Sequence, residues 1–250
     1  MSLWRRDEPL RWFIGAESSL LSGPGYSLQL PLWNDLTADD GVIDALRAPR
    51  RRGRALDIVV SNRWIAYTIT SAPAMLLRRE EERAMALARL TATFGGKPDE
   101  WCVAVQGQRP DAGILVAGMR QEMMRRIDAV MLAAEVSRHC VRPLTDAAAH
   151  RVPRIRDGWW ALVEPRWICL LQIVGGAWRE VIAQAYAGDS CVALEALLAR
   201  HDSNLTVHRG IHDVWVQPLG DPIREAELAQ PWTTRWILPA GQSSWDWGQL

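Results

Sequence analysis

Lysine is all but missing from this chain. Lys97 is the single one, although 29 basic residues balance 29 acidic ones. With zero formal net charge, no global field recruits nucleic acid or an anionic membrane, and neither class of partner is expected. The near-absence of lysine reads as the codon bias of a GC-rich genome. Phenylalanine and tyrosine are also scarce, at two and three residues, while tryptophan reaches 14. Each tryptophan brings a large apolar area and one N–H that needs a partner, so most belong in the core and at sheet faces. The four cysteines, Cys102, Cys140, Cys169 and Cys191, contain no C-x-x-C pair. Three stand in apolar contexts, as buried free thiols of a reducing compartment do. No apolar run approaches the roughly 20 residues that span a bilayer. Residues 1–9, MSLWRRDEP, lack the apolar stretch of a secretory signal. A soluble, cytoplasmic protein is expected. No period of about 20–50 residues recurs, which excludes a solenoid.

What is present is strand-rich. The clearest stretch is 158–186, GWWALVEPRWICLLQIVGGAWREVIAQAY. It predicts three antiparallel strands. Trp159 to Glu164 ends at a turn on Pro165 and Arg166. Trp167 to Val174 is nearly all apolar, as in a strand covered on both faces. Gly175-Gly176 is a two-residue hairpin signal, because both glycines accept positive φ. Ser190 then caps a helix running to about Arg200.

Upstream, residues 11–21 read as one strand and residues 26–32 as a partner. Asp39 to Leu46 reads as a short helix, and 49–54 (PRRRGR) as a solvated basic turn. Leu56–Ser61 and Trp64–Thr70 are β-branched strands. Arg79 to Phe94 is a helix with Glu80, Glu81 and Glu82 at its positive end and Leu87, Leu90 and Phe94 on one face. Trp101–Gln106 and Gly113–Met119 are two further strands. Met123, Ile127, Val130, Met131 and Ala134 repeat at helical spacing over 121–136. His139–Leu144 closes as a strand and Thr145–His150 as a short helix. Residues 205–209, 214–218 and 236–239 are short strand candidates, and 223–229 a helix.

These phrases, from "VVSNRWIAYTIT" through "LLRREEERAMALARLTATFGGKPDEWCVAV" and "ILVAGMRQEMMRRIDAVMLAAEVSRHCVRPL" to "WALVEPRWICLLQIVGGAWREV", resemble the PilM-like and GspL-like actin-fold proteins. That family serves type IV pilus and type II secretion assembly platforms; FtsA is a more distant relative. The resemblance covers about residues 11–200. It implies a mixed α/β, actin-like or ribonuclease H-like two-lobed fold with a small inserted strand-helix-strand-strand-helix subdomain. Residues 1–54 would begin the first lobe. Residues 55–150 would hold the insert and the return to that lobe, and 151–250 the second lobe with its tryptophan-containing tail.

An actin-fold ATPase needs two Asp-x-Gly hairpins followed by Ser or Thr, because backbone amides must approach phosphate and an Asp must hold Mg²⁺. The first hairpin here offers Gly15, Ser18 and Ser19, with Phe13 where the acid belongs. The second offers Glu164, but Pro165 removes an amide and Arg166 adds a long side chain. The site is degenerate, so no cofactor and no ATP hydrolysis are expected; Gly15, Ser18, Ser19 and Glu164 would hold ATP and Mg²⁺ only if nucleotide binding survives. Gly95-Gly96-Lys97-Pro98 is no P-loop. His208 and His212 flank Gly210 in a turn without an acid or thiol, so no metal site is expected. Ser61 lacks a nucleophile elbow. No catalytic residue is assigned.

The resemblance implies a non-enzymatic cytoplasmic scaffold that binds a short cytoplasmic segment of a PilN-like inner-membrane protein and is peripheral to the membrane through it. The groove would lie beside the insert, with Trp64, Tyr67, Arg83 and Trp101 as its expected lining. Two alternatives stand beside it. One is an active actin-like ATPase of the same machinery. The other is an oligomeric structural protein outside it, a homo-oligomer docked through Trp245 and Trp247.

Overall fold

A computed structural model describes residues 10–23, 26–30, 37–48, 55–70, 77–107, 113–137, 139–202, 213–220 and 228–238. The expected basic turn at 49–54, the strand at 205–209, His208, His212 and the tail with Trp245 and Trp247 lie outside these residues, as does most of the helix expected at 223–229.

The first lobe carries β1 (Leu10–Ile14), β2 (Ser19–Gly23), β3 (Tyr26–Leu30), α1 (Thr37–Arg47) and β4 (Leu56–Val60). The chain then leaves through β5 (Ile65–Thr70), α2 (Arg79–Phe94), β6 (Trp101–Gly107) and β7 (Ile114–Arg120). It returns with α3 (Gln121–Ala133), β8 (His139–Pro143) and α4 (Leu144–Ala149). The second lobe has β9 (Gly158–Glu164), β10 (Trp167–Val174), β11 (Ala177–Ala185), α5 (Ser190–Asp202), β12 (Asp213–Pro218) and β13 (Thr233–Trp236).

Both lobes repeat one strand order. The first sheet runs β3-β2-β1-β4-β8 and the second β11-β10-β9-β12-β13. In each, three strands form an antiparallel meander and the last two run parallel to the first. This is a duplicated ribonuclease H-like unit, as the sequence led one to expect. A separate antiparallel sheet, β5-β7-β6, is spliced between β4 and α3. Leu90 and Ala86 of α2 cover it by packing on Ile114 and Val116. Gly118 is needed there, since a Cβ would lie 2.4 Å from Leu90 Cδ1.

The meander at 158–185 follows the sequence pattern closely. Gly175 and Gly176 have φ of 60° and 77°, the pairing of a type I′ hairpin. β9 is buried along its whole length, because its two faces serve different cores. Trp159, Ala161 and Val163 pack with Leu194, Leu197 and Leu198 of α5. Trp160 and Leu162 join Cys169 and Leu171 in a core shared with Ile58, Ile127 and Leu144 of the first lobe.

Four local expectations fail for physical reasons. Residues 11–21 form two strands, because the Gly15 N–H donates to Ser18 O at 2.8 Å and turns the chain. A Cβ at position 15 would sit 2.3 Å from that oxygen. On α2, Ala86 and Leu90 are the buried residues and Phe94 is 43% exposed, because it leans on Trp101 at the insert surface with ring centroids 6.3 Å apart. Asp189 caps α5 in place of Ser190, its Oδ1 accepting the N–H groups of Cys191 and Val192 at 2.8 and 3.0 Å. All four cysteines are free, yet only Cys169 is buried, and Cys140 on an edge strand is exposed.

The start of β9 tests this packing. Gly158 has φ of 153°, and a Cβ there would lie 2.2 Å from Trp215 Cζ3. Gly158→Ala is expected to cost about 1–3 kcal/mol, the scale of core overpacking. Urea denaturation reads it as a lower midpoint at unchanged slope.

Candidate functional site

In each lobe the first hairpin ends at the boundary between lobes. The tip of the β1–β2 hairpin, Gly15 to Ser18, faces a three-residue 3-10 turn, Asn62–Trp64, that follows β4. Arg63 Nη1 donates to Ala16 O at 2.6 Å and Trp64 Nε1 to Gly15 O at 3.1 Å. The Ser61 N–H donates to Ile14 O at 2.9 Å. Ser19 points into its own lobe, where its hydroxyl accepts Trp12 Nε1 at 2.8 Å and donates to Phe13 O at 3.1 Å.

The tip of the β9–β10 hairpin is Pro165-Arg166. Arg166 has φ of 61°, a left-handed conformation costing a non-glycine residue about 1–2 kcal/mol. Its exposed guanidinium lies 3.5 Å from Glu17 on the opposite tip.

Glu164 sits just inside, 1% exposed. Its Oε1 accepts the Asn62 N–H at 3.1 Å across the lobe boundary, while Oε2 has no partner. Desolvation pushes the carboxyl up to about 7 against hydrogen bonds from Ser61 and Asn62 that favour its charge. Among the described residues no cation is paired with it. Tyr67 continues the network. Its hydroxyl donates to Asn62 Oδ1 at 2.7 Å and is 2.9 Å from Thr145 Oγ1. Burial pushes Tyr67 and Cys169 well above their ordinary values, each helped by the Glu164 charge.

A groove opens on the far side of Tyr67. It holds about 440 Å³ and is walled by β6 (Ala104, Gln106), by β8 and α4 (Val141, Thr145) and by Trp160 and Trp178. Among the described residues β6 and β8 are each the last strand of their sheet, so two strand edges with no strand partner among those residues border an apolar floor. A second cleft of about 460 Å³ adjoins it at Ala149 and Trp178, under the interlobe linker.

Two lobes of one strand order, each presenting its first hairpin to the other, define an actin-like fold. Solved structures share this fold. The cytoplasmic domain of EpsL, an inner membrane component of the type II secretion system of Vibrio cholerae, matches with TM-score 0.63, covering 94% of this chain and 90% of that one at 14% identity. The PilM–PilN type IV pilus biogenesis complex gives TM-score 0.60 over 84% and 81% at 14% identity. A Bacteroides thetaiotaomicron protein with an actin-like ATPase fold and unknown function gives 0.52 over 88% and 86% at 9%. The sequence matches no family model and no curated protein.

Gly15, Ser18, Ser19 and Glu164 do converge on the lobe boundary, with Ser19 turned inward and Glu164 buried. Tyr67 lines the groove, whereas Trp64 bonds the first hairpin, Arg83 is exposed on α2, and Trp101 packs at the insert's outer corner with its Nε1 donating to Gly95 O at 3.1 Å. Asn62 and Thr145, both buried, were missed by sequence reading. A polar Ser-Asn pair directly after an apolar strand was the available signal.

Glu164 makes stability depend on pH. Its folded pKa of about 7 exceeds the ordinary 4.5, so between these values the folded state holds the extra proton. Its contribution is largest below about 4.5 and is lost as pH rises through about 7. The difference amounts to about 3 kcal/mol at 1.36 kcal/mol per unit. Glu164→Gln should remove it, so wild type loses stability relative to the variant between those two pH values and runs parallel to it above. Denaturant melts across that window measure it.

Proposed function

We propose that this chain is a non-enzymatic scaffold of an inner-membrane assembly platform, of the kind that builds type IV pili or type II secretion systems. The observation that carries this reading is the groove. Two strand edges that have no strand partner among the described residues, beside a floor of Trp160, Leu171 and Trp178, suit an extended segment, which can add main-chain hydrogen bonds at an edge and seat apolar side chains between. The similar structures support the setting: EpsL is an inner membrane component of its secretion system, and PilM is held in a complex with PilN. A short segment of a PilN-type membrane protein is the proposed occupant. The protein would then reach the membrane through that partner. No helix among the described residues is long and apolar enough to cross a membrane.

The lobe boundary supports a scaffold over an ATPase. The residues there do not fit a Mg-nucleotide. The Gly15 N–H is spent on Ser18 O, Ser19 is spent inside its sheet, and Arg166 pairs with Glu17 where two hairpins would clasp phosphate. The acid on offer, Glu164, is desolvated and holds the facing lobe.

Ala104, exposed on β6, reaches the groove without belonging to the core. Ala104→Trp is expected to reduce co-purification of a platform membrane protein about tenfold, the equivalent of about 1.4 kcal/mol, at unchanged melting temperature. A pull-down that yields no inner-membrane platform protein overturns the scaffold reading. Calorimetry with Mg-ATP is expected to show no heat of binding at millimolar nucleotide, and micromolar affinity would restore the ATPase.

A further inference from the structure

Glu164 is joined to the groove by hydrogen bonds. The sequence of contacts is Glu164 Oε1 to Asn62 N–H, Asn62 Oδ1 to Tyr67 OH at 2.7 Å, and Tyr67 OH to Thr145 Oγ1 at 2.9 Å. Tyr67 and Thr145 are themselves groove residues. The path therefore starts at the lobe boundary and ends in the groove wall.

Two atoms along it stand without a bond although both are buried, Glu164 Oε2 and Asn62 Nδ2. The Asn62 side chain also acts on the Glu164 carboxyl, and a bond between these two atoms would satisfy both. Such a bond would allow two complete arrangements of the relay. With Glu164 as a carboxylate, Asn62 Nδ2 donates to it, Asn62 Oδ1 accepts from Tyr67, and Tyr67 accepts from Thr145. With Glu164 as the neutral acid, its O–H donates to Asn62 Oδ1 after the amide turns over. Asn62 Nδ2 then donates to the Tyr67 oxygen, and the Tyr67 hydroxyl donates to Thr145. Each hydroxyl and amide keeps its protons, and a single proton is gained at Glu164. All three inter-residue bonds reverse direction. The Asn62 carboxamide, able to donate at one end and accept at the other, is what makes the reversal available.

The surroundings leave this proton to decide the balance. The turn after β4 presents Ser61 and Asn62 to the carboxyl, β5 presents Tyr67, and β10 presents Cys169, all neutral at ordinary pH. Tyr186, following β11, donates to the Glu164 backbone carbonyl at 3.1 Å. From α4, Asp146 acts on Tyr67. On the hairpin tips, Glu17 and Arg166 neutralise each other, and Arg63 is held by Ala16 O. Among these groups nothing supplies a counter-charge to the carboxylate.

We infer that the groove is proton-linked: the direction of the Glu164–Asn62–Tyr67–Thr145 relay sets whether the Thr145 hydroxyl in the groove wall is left to accept from an occupant or to donate to it, and an occupant that selects one of these shifts the Glu164 proton in return. The second half follows from the first by thermodynamic reciprocity. This rests on the reading of the groove as the binding site. It is tested on the full chain without any partner, so it can fail while that reading stands, and the reverse.

The experiment follows the Glu164 side-chain carboxyl carbon by NMR from about pH 5 to about pH 9, a range that brackets a shifted carboxyl. The Thr145 methyl and the Ala117 amide, paired with Tyr67 in the insert sheet, report the groove wall. The expected result is a Glu164 midpoint near 7 shared by both reporters. Glu164→Gln should abolish the shared transition. Tyr67→Phe should leave Glu164 titrating while the Thr145 methyl no longer follows it. Reporters that stay still while Glu164 titrates overturn the inference. So does a Thr145 signal that follows equally in Tyr67→Phe, or a wild-type midpoint in the ordinary carboxylate range.

Discussion

The bond from the Asn62 amide to the Glu164 carboxyl is the point on which the two lobes of this molecule turn. It crosses their boundary at a buried place with no counter-charge among the described residues, where an ionised carboxyl is expensive to bury and an unmet amide adds its own cost. Around it the remaining boundary contacts fall into order. The turn that supplies Asn62 also supplies Arg63 and Trp64 to the first hairpin, and the strand that supplies Glu164 ends in the Arg166 turn that meets Glu17. One short turn and one hairpin thus fix the lobes against each other. The apolar core from Ile58 to Leu171 fills in behind them.

The hairpin between β9 and β10 sets an actin-like frame around a tip of different chemistry. Its strands, register and tight turn are those of a loop that could approach phosphate. Its tip is a proline followed by an arginine held in a left-handed conformation, and its acid is turned inward to the other lobe. Architecture and chemistry separate at this point because they rest on different atoms. The sheet needs backbone pairing and alternating apolar faces, while a nucleotide site needs free amides and an exposed acid.

Much of the fold was legible in the chain. The three strands of residues 158–185 and the helix around Ile127 and Met131 follow from periodicity and glycine placement alone. The break at Gly15 was harder to read, since residues 11–21 are apolar enough to pass for one strand and the turn is closed by a backbone bond four residues long. Tyr67 was foreseeable as a groove residue, but Trp64 and Trp101 were not separable from it by sequence. All three are amphipathic aromatics beside the same insert, and what distinguishes them is which partner their polar atom finds: Thr145, Gly15 or Gly95.

By itself the sequence determined most local elements, the three-strand meander of the second lobe and the absence of both Asp-x-Gly signatures, because each is written in residues close together along the chain. Tertiary structure alone decided that Glu164 and Asn62, 102 residues apart, meet in a desolvated boundary, and that β6 and β8, each last in its sheet among the described residues, flank one groove. Burial and edge exposure are properties of how elements stack. No spacing within a single segment encodes them.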